Sequence, residues 1–297
     1  MNGVLIVDKP TDFTSFDVVA VVRKSLHEKK TGHTGTLDPM ATGVLPILLG
    51  SATKAQIFLP DTDKEYVCEF KLGMTTDTLD ITGKILTKCS SDVTRRQIEN
   101  ILPQFRGDIL QKPPMYSAVS KDGVRLYELA RKGIEVEREA RPVTISALEL
   151  SDFDEGRQCG KMRIACSKGT YIRVICDDIG RELGCGCVMT ALRRTKACGF
   201  TEEQAVPLAT VRTLGADGIT EYIRPVESLF AHLKEIVVSE KQAVRFSNGG
   251  GLMLSRLRGL SEITDGTLYR IYGTEHIFLG LGIVDIRKEE LSVAKKF

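Results

Sequence analysis

Apolar positions along this chain alternate or recur at helical spacing, and the pattern locates most of its elements. GVLIVDKP is an apolar run that Pro10 ends, since proline removes a ladder donor, and it predicts a short N-terminal strand. Ser15 is placed to cap a helix reaching about Lys29, with Phe16, Val19, Ala20 and Leu26 on one apolar stripe. In KEYVCEFKLG the alternation is strict: Tyr66, Cys68, Phe70 and Leu72 share one face, and Glu65, Glu69 and Lys71 the other. Tyr66 therefore opens a half-buried strand and faces inward. Thr94 and Gln97 form a capping box, and Ile98, Ile101, Leu102 and Phe105 continue it as a helix. From Lys112 to Arg141 the chain is mostly polar, begins with Pro113 and Pro114, and holds one short helix ended by Gly133. This reads as an excursion from the sheet, the kind of loop that often carries function. Met162, Ile164 and Cys166 alternate again, Lys168 and Gly169 turn, and Thr170 caps a helix with Ile172, Ile175, Ile179 and Leu183 on its inner face. Beyond Lys234 the pattern changes to short strands and turns, which divides the chain into residues 1–233 and a compact β-rich unit, 234–297.

A length of 297 residues suits one large domain, or a large one with a small one, and 42% hydrophobic with 27% charged residues is an ordinary globular balance. The first residues show neither a basic leader nor a cleavage pattern, and the apolar run at Leu45–Leu49 is too short to span a bilayer, so we expect a cytoplasmic protein without membrane contact. Eight cysteines without a secretory pattern read as reduced thiols. The GCGC stretch at Gly184–Cys187 has neither a C-x-x-C pair nor a nearby His, so no metal site is expected there. Net charge is only +2, but Arg157, Lys161, Arg163, Lys168 and Arg173 follow one another without an acid, as do Arg193, Arg194 and Lys196. Such runs suit a phosphate-tracking surface or, more plainly, a solvated basic face.

Candidate chemistry centres on TGHTGTLDPMATGVLPILLG, residues 31–50, where Asp38 stands in a loop rich in Gly and Thr with Pro39 behind it and His33 ahead. No second carboxylate at fixed spacing supports a glycosidase pair, and the loop lacks G-K-[ST] and G-x-S-x-G. What remains is a carboxylate acting as nucleophile or base, with glycines that admit a ligand closely, or a structural Asx-turn at Asp38–Pro39. Arg173 falls in the first turn of its helix, where a guanidinium opposes the dipole unless an anion lies within reach.

GHTGTLDPMATGVLPILLG resembles the signature loop of the bacterial tRNA pseudouridine-55 synthases, the TruB family. DKP at residues 8–10, KEYVCEFKLGMTTDTLDITG at 64–83, CSKGTYIRVICDDIG at 166–180 and LRR at 192–194 agree in the same order, so the likeness runs to about residue 200. It implies an α+β fold, a large mixed, mainly antiparallel sheet flanked by helices, with a small β-rich PUA-like RNA-binding domain at the C-terminus. It places the catalytic aspartate at Asp38, a base-stacking tyrosine at Tyr66 and the arginine partner of the carboxylate at Arg173. His33 matches a residue that helps place the flipped uridine, Tyr171 and Leu192 match pocket-lining positions, and Lys9 and Asp80 match recurrent positions with supporting roles. The reaction implied detaches uracil from C1′ through N1 and rejoins it through C5, with no cofactor and no metal. The partner implied is the tRNA T-arm, read by a monomer without guide RNA, with residues 112–141 as a gripping insertion that orders on tRNA. A second reading is a tRNA-folding factor in which isomerisation is secondary.

Overall fold

The computed structural model describes residues 1–60, 62–260 and 263–297. Strand β1 (Gly3–Lys9) leads to helix α1 (Ser15–Leu26), strands β2 (Thr31–His33) and β3 (Thr42–Leu49), a 3-10 segment (Gly50–Phe58) and β4 (Thr62–Leu72). A hairpin of β5 (Met74–Thr76) and β6 (Ile85–Lys88) is followed by α2 (Arg95–Ile101) and β7 (Gly107–Gln111). The excursion holds a hairpin of β8 (Ser120–Lys121) and β9 (Val124–Arg125) and the helix α3 (Leu126–Arg131). Strands β10 (Arg141–Asp154) and β11 (Cys159–Ser167), helix α4 (Ile172–Glu182) and strand β12 (Cys187–Ala197) follow, then β13 (Phe200–Thr201), β14 (Val206–Pro207), α5 (Leu208–Gly218) and β15 (Ile223–Arg224).

These strands make one mixed sheet in the order β14-β1-β3-β12-β4-β11-β10-β7, with β2, β13 and β15 pairing to β3, β12 and β1. Most pairs are antiparallel; β1 with β14 and β3 with β12 are parallel. The late strand β12 is inserted between β3 and β4, which are neighbours in sequence. Its register with β3 covers only Arg193↔Thr42 and Arg194↔Gly43, whereas with β4 it extends from Cys187↔Leu72 to Lys196↔Glu65. Gly43 is obligatory at this seam: φ is +101°, and a Cβ there would lie 2.2 Å from the Arg194 carbonyl oxygen. One core lies under α2 and α4 and gathers Leu37, Tyr66, Cys68, Ile98, Ile164, Ile175 and Leu192; another lies under α1 with Leu5, Val7, Val18, Val22, Leu45 and Ile47.

The C-terminal unit is a second sheet, β16-β18-β19-β20-β17, built from β16 (Glu235–Val237), β17 (Leu252–Met253), β18 (Leu268–Tyr272), β19 (Phe278–Asp285) and β20 (Glu290–Lys295), with α6 (Glu240–Ser247). It has its own core around Phe246, Tyr269, Ile271 and Leu291, and its Leu281, Phe278 and Phe297 join Val4, Ile6, Leu229 and Phe230 of the large unit. This α+β architecture, with a mainly antiparallel sheet and a small β-rich unit, is the one anticipated. No helix among the described residues is long and apolar enough to cross a membrane.

Four local expectations are corrected. The α1 cap is Thr14, not Ser15, in a capping box closed by Asp17; the hydroxyl one residue earlier wins because Asp17 can answer its backbone N–H at 2.8 Å. Its buried stripe is Val18, Val19, Val22 and Leu26, while Ala20 is exposed and Phe16, in the first turn, is 73% exposed; the helix stops at His27, which adopts the left-handed conformation, rather than reaching Lys29. At α4 the cap position is Tyr171; Thr170 turns its hydroxyl back to the Ser167 carbonyl. The basic runs are not a free phosphate track: Lys161 pairs with Glu69, Arg163 with Glu65 and Glu149, and Arg193 with Asp8 and Glu202, while Arg173 and Arg194 are buried. Acids from neighbouring strands supply the partners that a local count along the chain omits.

Candidate active site

The loop before β3 is anchored from beneath before any ligand is considered. Lys9, fully buried at the end of β1, donates its ammonium to the carbonyls of Pro10 (2.8 Å), Phe13 (2.6 Å) and Pro39 (3.1 Å). Burial pulls the Lys9 pKa down to about 8, against the opposing attraction of Asp38. Ser15, at the start of α1, accepts the Leu37 N–H at 2.9 Å and donates to the Leu37 carbonyl at 3.4 Å. Backbone closes the turn at Asp38, from the Ala41 N–H to the Asp38 carbonyl (3.0 Å), so the carboxylate is directed elsewhere.

It meets Arg173. The Arg173 Nη1 lies 3.3 Å from Asp38 Oδ2 and 3.4 Å from Asp80 Oδ2, and Nη2 donates to the Tyr116 carbonyl. The guanidinium side chain is 5% exposed and Asp38 36%, so the ion triad is buried on one side and open on the other. Asp80 is held in turn by the hydroxyls of Thr78 (2.9 Å) and Thr82 (2.5 Å) and the Thr82 N–H (3.0 Å) on Oδ1, leaving Oδ2 for the arginine. Arg173 is positioned by the first turn of α4, whose start is fixed by Gln111 of β7: Oε1 accepts the Tyr171 N–H at 2.8 Å and Nε2 donates to the Tyr171 carbonyl at 3.1 Å. The Tyr171 ring lies under the guanidinium, 5.8 Å from centroid to Cζ.

Tyr66 stands on β4 with Ile164 and Arg194 as ladder partners, 6% exposed, in the same core cluster as Leu37 and Leu192. Burial raises its phenol pKa, the Arg194 charge opposes this, and the Asp38 charge adds a smaller push upward. Leu192 is buried on β12 opposite Cys68. His33 ends β2; burial, then the charge of Arg194, lowers its pKa and keeps the imidazole neutral, and Phe16 meets its ring at right angles with centroids 5.3 Å apart. Of the eight anticipated residues, Asp38, Asp80 and Tyr171 contact Arg173, Lys9 holds the loop, Tyr66 and Leu192 share a core cluster with Leu37, and His33 meets Phe16. Three contributors were not anticipated: Gln111, the Tyr116 carbonyl and Arg194. Arg194 is fully buried, with no carboxylate partner among the described residues, donating from Nε to the Val44 carbonyl (2.7 Å) and from Nη2 to the Gly35 carbonyl (3.2 Å), which stitches β12 to the loop. The LRR motif and the basic run around it were its traces in the sequence. Among the described residues, no group of three or more His, Cys, Asp or Glu is placed to hold a metal ion.

A mixed sheet with a short parallel seam, the Asp38 loop beside it and a small β unit at the C-terminus have counterparts among solved structures. A solved Cbf5–Nop10–Gar1 complex superposes with a TM-score of 0.74 and 27% identity, covering 99% of this chain and 84% of that one. A box H/ACA ribonucleoprotein solved with a substrate RNA containing 2′-deoxyuridine also gives 0.74, with 25% identity over 99% and 84%. The model of the TruB family pseudouridylate synthase N-terminal domain matches residues 23–172, and that of the tRNA pseudouridylate synthase B C-terminal domain matches 173–231. The tRNA pseudouridine synthase B of Clostridium perfringens is 44% identical over 95% of both chains, and that of Stutzerimonas stutzeri 46% identical over 84% of this chain and 82% of its own. The chain belongs to the TruB family, and it is a pseudouridine synthase, an isomerase.

Proposed function

We propose that this enzyme isomerises uridine 55 of the tRNA T-loop to pseudouridine, with Asp38 as the catalytic carboxylate. The observation that carries the reading is the one-sided burial of the Asp38–Arg173–Asp80 triad, which presents a single oriented carboxylate to the cleft. The target uridine is extruded from the loop, at a cost of a few kcal/mol. Stacking on Tyr66 returns roughly 1–3 kcal/mol of that cost. Asp38 then acts on the nucleoside as nucleophile or base while N1–C1′ breaks, the uracil turns and C5–C1′ forms; the proton leaves C5 and N1 gains one, so no electrons are exchanged. Arg173 holds the carboxylate through charge-assisted contact, and Asp80 holds Arg173. His33, Tyr171 and Leu192 shape the pocket, and Lys9 fixes the loop. The curated relatives are tRNA pseudouridine synthases, which supports tRNA as the substrate.

The protein reads the T-arm by itself, without guide RNA, as a monomer in the cytoplasm. The insertion at residues 112–141 grips the arm, and its link to the site is physical, since its Tyr116 carbonyl accepts from Arg173. Residues 234–297 form the PUA-like RNA-binding unit. Tritium release from tRNA labelled at C5 of uridine, measured beside filter binding, tests the reading: Asp38→Asn ends release and keeps affinity. Release from that variant at the rate of the unaltered enzyme would remove Asp38 from the chemistry.

A further inference from the structure

Phe16 is 73% exposed on a helix whose other large apolar residues face the core. Its place is rigid all the same. The Thr14–Asp17 capping box closes the helix just ahead of it, and Ser15 is bound twice to the Leu37 backbone, one residue from Asp38. His33 meets the phenyl ring at an interplanar angle of 84°, and its imidazole is uncharged at neutral pH, so the two rings form an apolar corner at the rim of the cleft.

We propose that Phe16 is a stacking platform for an unpaired tRNA-loop base adjacent to the target uridine. This deepens the function proposed above and rests on it. The occupant is a nucleobase because a uridine delivered to Asp38 is covalently tied to its neighbours, and Ser15, next to Phe16, is bound to the backbone of Leu37, next to Asp38. Unpaired loop bases are recognised by aromatic stacking, and every base offers a π-face. The interaction secures the complex and not the bond rearrangement, so its loss falls on KM.

The test uses a T-arm stem–loop RNA carrying 2-aminopurine at each loop position flanking the target in turn. In complex with the Asp38→Asn protein, fluorescence at one flanking position is quenched; adding Phe16→Ala abolishes the quench, and Phe16→Trp preserves it. With Asp38 intact, Phe16→Ala raises KM about five- to twentyfold with kcat changed less than about twofold, and Phe16→Trp restores KM. Unaltered KM and quenching in Phe16→Ala overturns the proposal. Full turnover by Asp38→Asn would instead refute the catalytic assignment, and the binding and fluorescence results would still decide the role of Phe16.

Discussion

On the outer face of the sheet Arg163 meets Glu65 at 2.6 Å and Glu149 at 3.0 Å, with all three side chains at least 29% exposed. In the cleft Arg173 meets Asp38 at 3.3 Å and Asp80 at 3.4 Å, with the guanidinium 5% exposed. The pairs are alike in composition and the shorter contacts are outside, yet the physics is reversed. Water screens the outer pairs, and an exposed pair contributes about 0–1 kcal/mol. The inner arginine has lost its hydration, so each partner it keeps is needed to offset that loss. Distance therefore ranks these ion pairs wrongly, and burial ranks them correctly.

Six substitutions can break or sharpen this contrast. Asp38→Asn removes the reacting group and should lower single-turnover isomerisation by about 10³-fold or more, with tRNA affinity nearly intact because phosphate contacts supply most of the binding. Tritium release with a parallel binding curve reports both; a comparable loss of affinity would make Asp38 a binding residue. Arg173→Met leaves Asp80 buried and unpaired, and should cost about 3–5 kcal/mol in urea unfolding together with about 10²-fold or more in rate. Arg173→Lys recovers part of the stability and less of the rate, since an ammonium between the two carboxylates cannot also supply the second nitrogen that reaches the Tyr116 carbonyl.

Lysines repeat the contrast through pH. Lys9 has a folded-state pKa lowered to about 8 by burial, against 10.5 when unfolded. Below about 8 both states hold the proton; between 8 and 10.5 only the unfolded chain does, so stability from this group rises with pH through that window. Activity moves the other way, because a neutral amine has too few N–H groups for the carbonyls of Pro10, Phe13 and Pro39, and the loop slackens. A kcat/KM profile should therefore show an alkaline limb near pH 8 that is missing in Lys9→Met. Exposed Lys161, held protonated by Glu69, should produce no limb there, and Lys161→Met should leave the profile in place. The smallest effect belongs to Arg163→Met, within about 1 kcal/mol in the same unfolding experiment. A loss there as large as that of Arg173→Met would dissolve the distinction.

Much of the site was legible along the chain because its signals are local. Strict alternation placed Tyr66 on an inward strand face, and the helix start placed Arg173 where a cation needs an anion; Asp38 and Asp80 are those anions. The Thr94 capping box reads correctly for the same reason. What failed depends on topology. Arg194 looked like one more member of a basic run, and only the insertion of β12 between β3 and β4 buries it. Phe16 looked like core because spacing assigns a face only relative to the other residues of the stripe, and a first-turn position can sit on the far side. The acids that neutralise Lys161 and Arg163 come from other strands, and Arg193 pairs with Asp8 of β1 and with Glu202 just past the end of its run, so the basic runs themselves contain none of these partners.

The late arrival of β12 has a consequence for biosynthesis. While a ribosome is still making the first 186 residues, β3 and β4 exist without the strand that belongs between them, and Arg194 is missing from beneath the loop. Pairing across such sequence separations is slow compared with local structure. The site therefore cannot be completed on a nascent polypeptide until β12, which ends at Ala197, has emerged from the ribosome.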